Sequence, residues 1–168
     1  ASRAITVPAA KRRVRAKARD GVDSCADCEG YAPAMVMVRD SINKALKAAE
    51  VSGGSLLVAV SGGQDSVLLL DTLRSLAPHL DLKLIIGHVN HGLRDEESEG
   101  DESFVHELAR AGGWTFDRRR VDPTEARADS ANSRLRPTLE EAARDQRREA
   151  LEAMAEANGA RWIATAHH

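Results

Sequence analysis

The sequence predicts an α/β domain, a parallel sheet with helices on both faces. Three observations lead there. From residue 55 onward, short apolar runs alternate with longer segments of helical period. Turn residues, chiefly glycine, punctuate them. Polar residues with chemical potential cluster just after the apolar runs, at 61–66, 88–94 and 165–168. Strand–helix alternation gives parallel pairing, because each strand returns to the sheet through a helical crossover. Ligands of such sheets bind at the carboxyl ends of the strands.

The elements follow in order. Residues 34–50, AMVMVRDSINKALKAAE, place Met35, Val38, Ile42, Ala45 and Leu46 on one helical face. VSGGS ends that helix, and residues 55–60 read as a short buried strand. A helix over 65–76 breaks before Pro78. KLIIGHV, 83–89, is a second strand, and 97–111 a helix closed by Gly112 and Gly113. Residues 114–121 alternate as a weaker third strand, and 122–136 read as polar loop. Pro137 suits the first turn of a long helix over 138–158, with Gly159 as its stop. RWIATA, 161–166, is a fourth strand.

Composition narrows the class. A chain of 168 residues, 42% hydrophobic and 30% charged, is an ordinary single domain with room for a tail. Aromatics are only 3%, so Leu, Val, Ile and Ala must fill the core. A net charge of -2 makes no global case for a nucleic-acid partner. Two cysteines are too few for a disulfide scaffold and fit a reducing compartment. No apolar run nears the roughly 20 residues that span a bilayer, so no membrane association is expected.

Residues 1–33 differ from the rest, and residues 34–168 are taken as the domain. KRRVRAKAR, 11–19, is mostly basic, and DGVDSCADCEGYAP after it has no clear period. A mobile or poorly packed arm is expected, with three open readings: a solvated tail, an RNA-phosphate contact, or an Arg-rich organelle-targeting segment. Cys25 and Cys28 form a lone CxxC. A structural zinc needs four ligands, and all six histidines lie at position 79 or later. The pair reads as incidental.

The loops carry the chemistry. In SGGQDS, 61–66, Gly62 and Gly63 let the backbone take positive φ and approach a ligand. Successive amides there can form an anion nest, reinforced by the dipole of the following helix. Ser61 and Ser66 offer hydroxyls. Asp65 is out of place beside an anion unless it caps the helix or helps to hold Mg2+. The plain alternative is a capped turn with no ligand. The loop lacks the lysine and spacing of a Walker A motif and is not G-x-G-x-x-G. After the second strand, HVNHGLR brings His88, His91 and Arg94 to the same edge, and Arg94 suits a phosphate. After the fourth, TAHH brings His167 there. On the long helix, Glu140 and Arg144, with Arg147 or Arg148, read either as a solvated i,i+4 charge lattice or as site residues.

Taken together, these segments resemble a known family. SGGQDS (61–66) matches the SGGxDS signature of the PP-loop, or N-type ATP pyrophosphatase, superfamily. HVNHGLR (88–94), LEEAARDQRREAL (139–151) and TAHH (165–168) resemble, in family order, segments of its tRNA(Ile)-lysidine synthetase branch. The resemblance implies a Rossmann-like PP-loop fold, related to adenine nucleotide alpha hydrolases. It also implies ATP-dependent ligation of free lysine to C2 of cytidine 34 in tRNA(Ile). ATP first adenylates the C2 oxygen and releases pyrophosphate, and the lysine amine then displaces AMP. ATP and Mg2+ are the implied cofactors, and tRNA(Ile) and L-lysine the implied partners, with a homodimer allowed for and a cytoplasmic or organellar setting. Ser61, Gly62, Gly63, Gln64, Asp65, Ser66, His88 and His91 are the implied ATP-binding residues. Asp65, with its metal, Arg94, Glu140 and Arg144 are the implied catalytic residues.

The chain also departs from the pattern. Glu149, or Arg148 if the register slips, stands where the family has tyrosine, and the Asp-Asp-Gln that follows TAHH is absent. A domain truncated at its carboxyl end is therefore expected, with an exposed final strand as an aggregation edge. Two alternatives remain: a related PP-loop tRNA thiolase, and an inactive nucleotide- or RNA-binding fragment.

Overall fold

The computed structural model describes residues 3–6, 31–90, 95–122 and 138–166. Its elements in chain order are β1 (Arg3–Thr6), α1 (Tyr31–Ala48), β2 (Gly54–Ala59), α2 (Gln64–Leu76), β3 (Leu82–Asn90), α3 (Asp95–Gly112), β4 (Thr115–Arg120), α4 (Leu139–Ala157) and β5 (Trp162–Thr165). A 3-10 turn, Ala77–Leu80, follows α2 and contains Pro78. The sheet order is β1-β5-β2-β3-β4, and every neighbouring pair is parallel.

Burial explains why apolar runs became strands and periodic segments helices. Leu56, Leu57 and Val58 have no exposed surface, so β2 is covered on both faces. On one face, Ile42 and Leu46 of α1, Leu70 and Leu73 of α2 and Val105 of α3 pack on Leu56, Val58 and Ile86. On the other, Leu151, Met154 and Ala155 of α4 pack on Leu57, Ile85 and Ile163. Handedness dictates this division. The chain moves from β2 to β3 to β4 in one direction, then returns across both to place β5 beyond β2. Right-handed crossovers put the helices of the outward path on one face and that of the return path on the other.

Two expectations are corrected here. The sequence places residues 1–33 in a poorly packed arm, and for Arg3–Thr6 alone the structure differs: they pair with Trp162–Thr165 as a parallel edge strand, and Ile5 is buried. Four residues give too short a pattern to mark a strand, and only the neighbouring β5 makes them one. The basic run and Cys25 and Cys28 lie outside the described residues. The final strand, expected to be an edge, is internal, held between β1 and β2. The other elements lie within a few residues of their predicted bounds.

The topology selects one place on the sheet. Chain direction reverses between β2 and β5, so the switch point lies at their carboxyl ends. Open α/β sheets leave a crevice there, since the loops diverge to opposite faces. The loop from Ser61 to Gly63 leaves β2 at that point.

Candidate functional site

The site is built from Val60 outward. Val60 is held to β3 twice: its amide donates to the Gly87 carbonyl at 2.9 Å, and His88 Nδ1 lies 2.8 Å from its carbonyl oxygen. A carbonyl only accepts, so His88 carries its proton on Nδ1. His88 is 3% exposed. The resemblance makes it a nucleotide-binding residue; in the structure its Nδ1 fixes the backbone from which the loop departs.

The loop is braced from within. The Ser66 hydroxyl donates to the Gly63 carbonyl at 2.7 Å and accepts from the Ser61 amide at 3.2 Å. Its one proton is thereby used. In the 3.3 Å contact between the two hydroxyls, Ser61 is therefore the donor. The Ser61 oxygen also accepts a long bond from the Gly63 amide, 3.4 Å. Ser66 is buried and structural, whereas Ser61 is exposed and available.

The two glycines differ. Gly62 has φ +90°, a conformation that side-chain-bearing residues rarely adopt. Gly63, the N-cap of α2, is extended at φ -71°, ψ 154°. The expected positive φ thus belongs to Gly62, and Gly63 leaves the backbone uncrowded. No side chain caps α2. The first amides of a helix have no acceptor within it, so those of Gln64 and Asp65 are offered to the crevice with the positive end of the helix dipole. Asp65 sits exposed in the first turn and does not cap. An acid in the first turn of a helix is also favoured by the positive end of its dipole.

A residue that sequence reasoning missed completes the wall. A Cβ built on Gly62 would lie 2.8 Å from Asp101 Oδ1 and 3.0 Å from its Cγ, so Asp101 of α3 packs on the loop glycine. The next residue pins that turn: Asn90 Nδ2, at the end of β3, donates to Glu102 Oε2 at 3.2 Å, and Arg118 of β4 pairs with Glu102. The sequence signal was hidden, because Asp101 is one of six acids between 95 and 102.

Glu140 and Arg144 stand in the first turns of α4, on the opposite face of the sheet from α2. Gln146 Nε2 donates to the Asp122 carbonyl at 3.0 Å, which holds this end of α4 just beyond the carboxyl end of β4. Both residues are exposed and share the site's edge, but make no hydrogen bond to the loop among the described residues. Thr138 and Glu141 form a capping box, with Glu141 N to Thr138 Oγ1 at 3.2 Å and Thr138 N to Glu141 Oε2 at 2.8 Å. The Thr138 bonds hold the Glu141 carboxyl below its ordinary value, with Arg144 assisting. Burial, with Arg144 adding to it, lowers the Arg147 guanidinium from its usual value. His91, Arg94 and His167 lie outside the described residues.

Among the described residues no three His, Cys, Asp or Glu side chains gather as a metal cage. The acids at the loop offer hard oxygen donors, which suits Mg2+ held jointly with phosphate. An open cavity of about 340 Å3 lies at the opposite edge of the sheet, lined by Arg74, Pro78, Lys83 and Trp114. It borders the amino ends of β3 and β4 and is remote from the loop. No helix is long and apolar enough to cross a membrane among the described residues.

Fold and site together define a parallel α/β protein with a glycine loop presenting free amides at its topological switch point. The chain belongs to the PP-loop domain family, whose model matches residues 35–168. It is 36% identical over 133 residues to the tRNA(Ile)-lysidine synthase of Dehalococcoides mccartyi, covering 78% of this chain and 27% of the relative. It is 41% identical over 116 residues to that of Geobacter sulfurreducens, covering 69% of this chain and 23% of the relative. The chain thus spans about a quarter of the length of these curated relatives. Among solved structures it is similar in fold to the U34-tRNA thiolase NcsA of Methanococcus maripaludis, described with its [4Fe-4S] cluster. The TM-score is 0.61 and the identity 15%, over 81% of this chain and 46% of that one.

Proposed function

We propose that this chain is the ATP-binding part of a tRNA(Ile)-lysidine synthase. The observation that carries the proposal is the loop geometry: Gly62 at φ +90° beside the uncapped start of α2, at the switch point of the sheet. Family membership and the named relatives support the same reaction.

The C2 oxygen of cytidine 34 attacks the α-phosphorus of ATP, and the bond to pyrophosphate breaks. The lysine amine then attacks C2, and AMP departs with the former C2 oxygen as the amine loses a proton. The amides of Gly62, Gln64 and Asp65 hold the departing diphosphate, as preorganised dipoles need no reorientation when charge develops. The Gly63 amide and the Ser61 hydroxyl join them by giving up their long contacts to Ser61 and Ser66. Asp65 would help to hold Mg2+, which would neutralise phosphate charge when bound. Arg94, a catalytic residue that the family resemblance implies, would stabilise charge at the α-phosphate. Glu140 and Arg144, across the sheet, serve the lysine and cytidine pockets. His88 supports the site through its bond to Val60, and His91 is a nucleotide-binding residue on the strength of the resemblance. Tethering nucleotide and tRNA in register supplies much of the remaining rate, as orientation does in displacements of this kind. The partners are tRNA(Ile) and L-lysine, with a homodimer and a cytoplasmic setting as further parts of the proposal.

ATP–pyrophosphate exchange tests it. Exchange that requires tRNA(Ile) is expected, from this chain or from a version extended to the relatives' length. ATP binding without exchange in either would favour a nucleotide-binding fragment and contradict the ligase. The thiolase alternative has fold similarity alone in its favour. Replacing Cys25 and Cys28 with serine should leave ATP affinity unchanged.

A further inference from the structure

Asp101 presents a charge that the loop's task does not explain. Its carboxylate packs on Gly62, the glycine whose left-handed backbone opens the amide nest. The side chain is exposed, and among the described residues it has no hydrogen bond or ion pair. It is also held in place, because Glu102 ties the same turn of α3 to Asn90 and Arg118.

A fixed negative charge on the wall of an anion site repels a bare triphosphate. Asp65 adds a second carboxylate in the first turn of α2. The described residues form no cage that would retain a cation by itself. Mg2+ is commonly bound by one or two carboxylates together with phosphate oxygens and its own waters. Cation and nucleotide therefore depend on each other here: phosphates complete the cation's shell, and the cation offsets the repulsion.

We propose that Asp101 is a specificity-determining residue that makes the loop accept ATP as its divalent-cation complex and discriminate against free ATP. The proposal rests on the placement of the phosphates at Gly62 and extends it to the charge state of the ligand.

The test is calorimetric titration of the chain with ATP, once in magnesium and once in EDTA. The unaltered chain, Asp101→Asn, Asp101→Ala and Gly62→Val are compared. The unaltered chain should bind ATP more tightly with magnesium. Both Asp101 variants should bind free ATP about tenfold more tightly than the unaltered chain, the scale of one screened charge at contact range. Their preference for magnesium should fall correspondingly. The alanine variant guards against a gain that comes only from an asparagine amide donating to phosphate. An unchanged magnesium preference in both variants, with Gly62→Val still abolishing binding, would overturn the role of Asp101 and leave the phosphate placement standing. Undiminished binding by Gly62→Val, or none by the unaltered chain, would overturn the placement and the inference together.

Discussion

Ser66 and His88 brace the loop from buried positions, and the energetics of that brace can be measured without ligand. Ser66→Ala removes a donor to the Gly63 carbonyl and an acceptor for the Ser61 amide. A loss of about 1–3 kcal/mol in urea unfolding is expected, because buried backbone groups lose their partners. His88→Leu leaves the Val60 carbonyl without its imidazole donor and should cost a similar amount. If either variant matched the parent in stability, the brace would be incidental. The two glycines should behave differently. Gly62→Ala is strained by its φ and meets Asp101 at 2.8 Å. Gly63→Ala meets only Ser61 Oγ at 3.5 Å and should fold with stability close to the parent's in thermal melts. At this scale the sequence was legible in part. Two adjacent glycines after an apolar run announced a loop that bares its backbone. Which of them bears the positive φ depends on how the strand ends, and Val60 is fixed there by β3. Likewise the serines read as equivalent hydroxyls until burial separated Ser66 from Ser61.

At the scale of elements, α4 depends most on local chemistry. Its capping box joins Thr138 to Glu141, and Thr138→Ala should destabilise the fold by about 1 kcal/mol, the usual worth of such a cap. The box also sets a pH dependence. Glu141 has a carboxyl pKa lowered by Thr138, with Arg144 assisting. A depressed folded pKa means that the contribution is present above the unfolded value of 4.5 and fades as pH falls through the folded one. Stability measured from pH 6 to pH 3 should therefore fall less steeply in Glu141→Gln than in the parent. Equal slopes would show that the bond to Thr138 does not favour the carboxylate. The helix itself was legible from its period and from Gly159 at its end. Asp101 on α3 was not, because a run of acids at a helix start looks the same whether solvent or a loop faces it. Only the tie from Glu102 to Asn90 and Arg118 selects the one that touches Gly62.

For the molecule as a whole, the parallel sheet and the faces of its helices followed from alternation and handedness. The position of β5 did not. The order of strands across a sheet is decided by where the crossover lands, and residues 161–166 look alike as an edge or as an interior strand. Because β5 lies between β1 and β2, the outer edges are β1 and β4. β4 carries exposed Arg118, Arg119 and Arg120, charges that discourage edge pairing. Removing residues 1–6 would uncover the flank of β5 and expose Ile163 and Ala164 beside it. Lower stability and concentration-dependent light scattering are expected, and an unchanged, monodisperse product would contradict the role of β1. The central claim is the placement of phosphates on the free amides after β2, and amide-resolved NMR tests it most directly. Titrating the chain with magnesium–ATP should move the amide resonances of Gly62, Gly63, Gln64 and Asp65 most. Largest shifts at Lys83 and Trp114, beside the cavity at the opposite edge, with the loop amides unmoved, would contradict it.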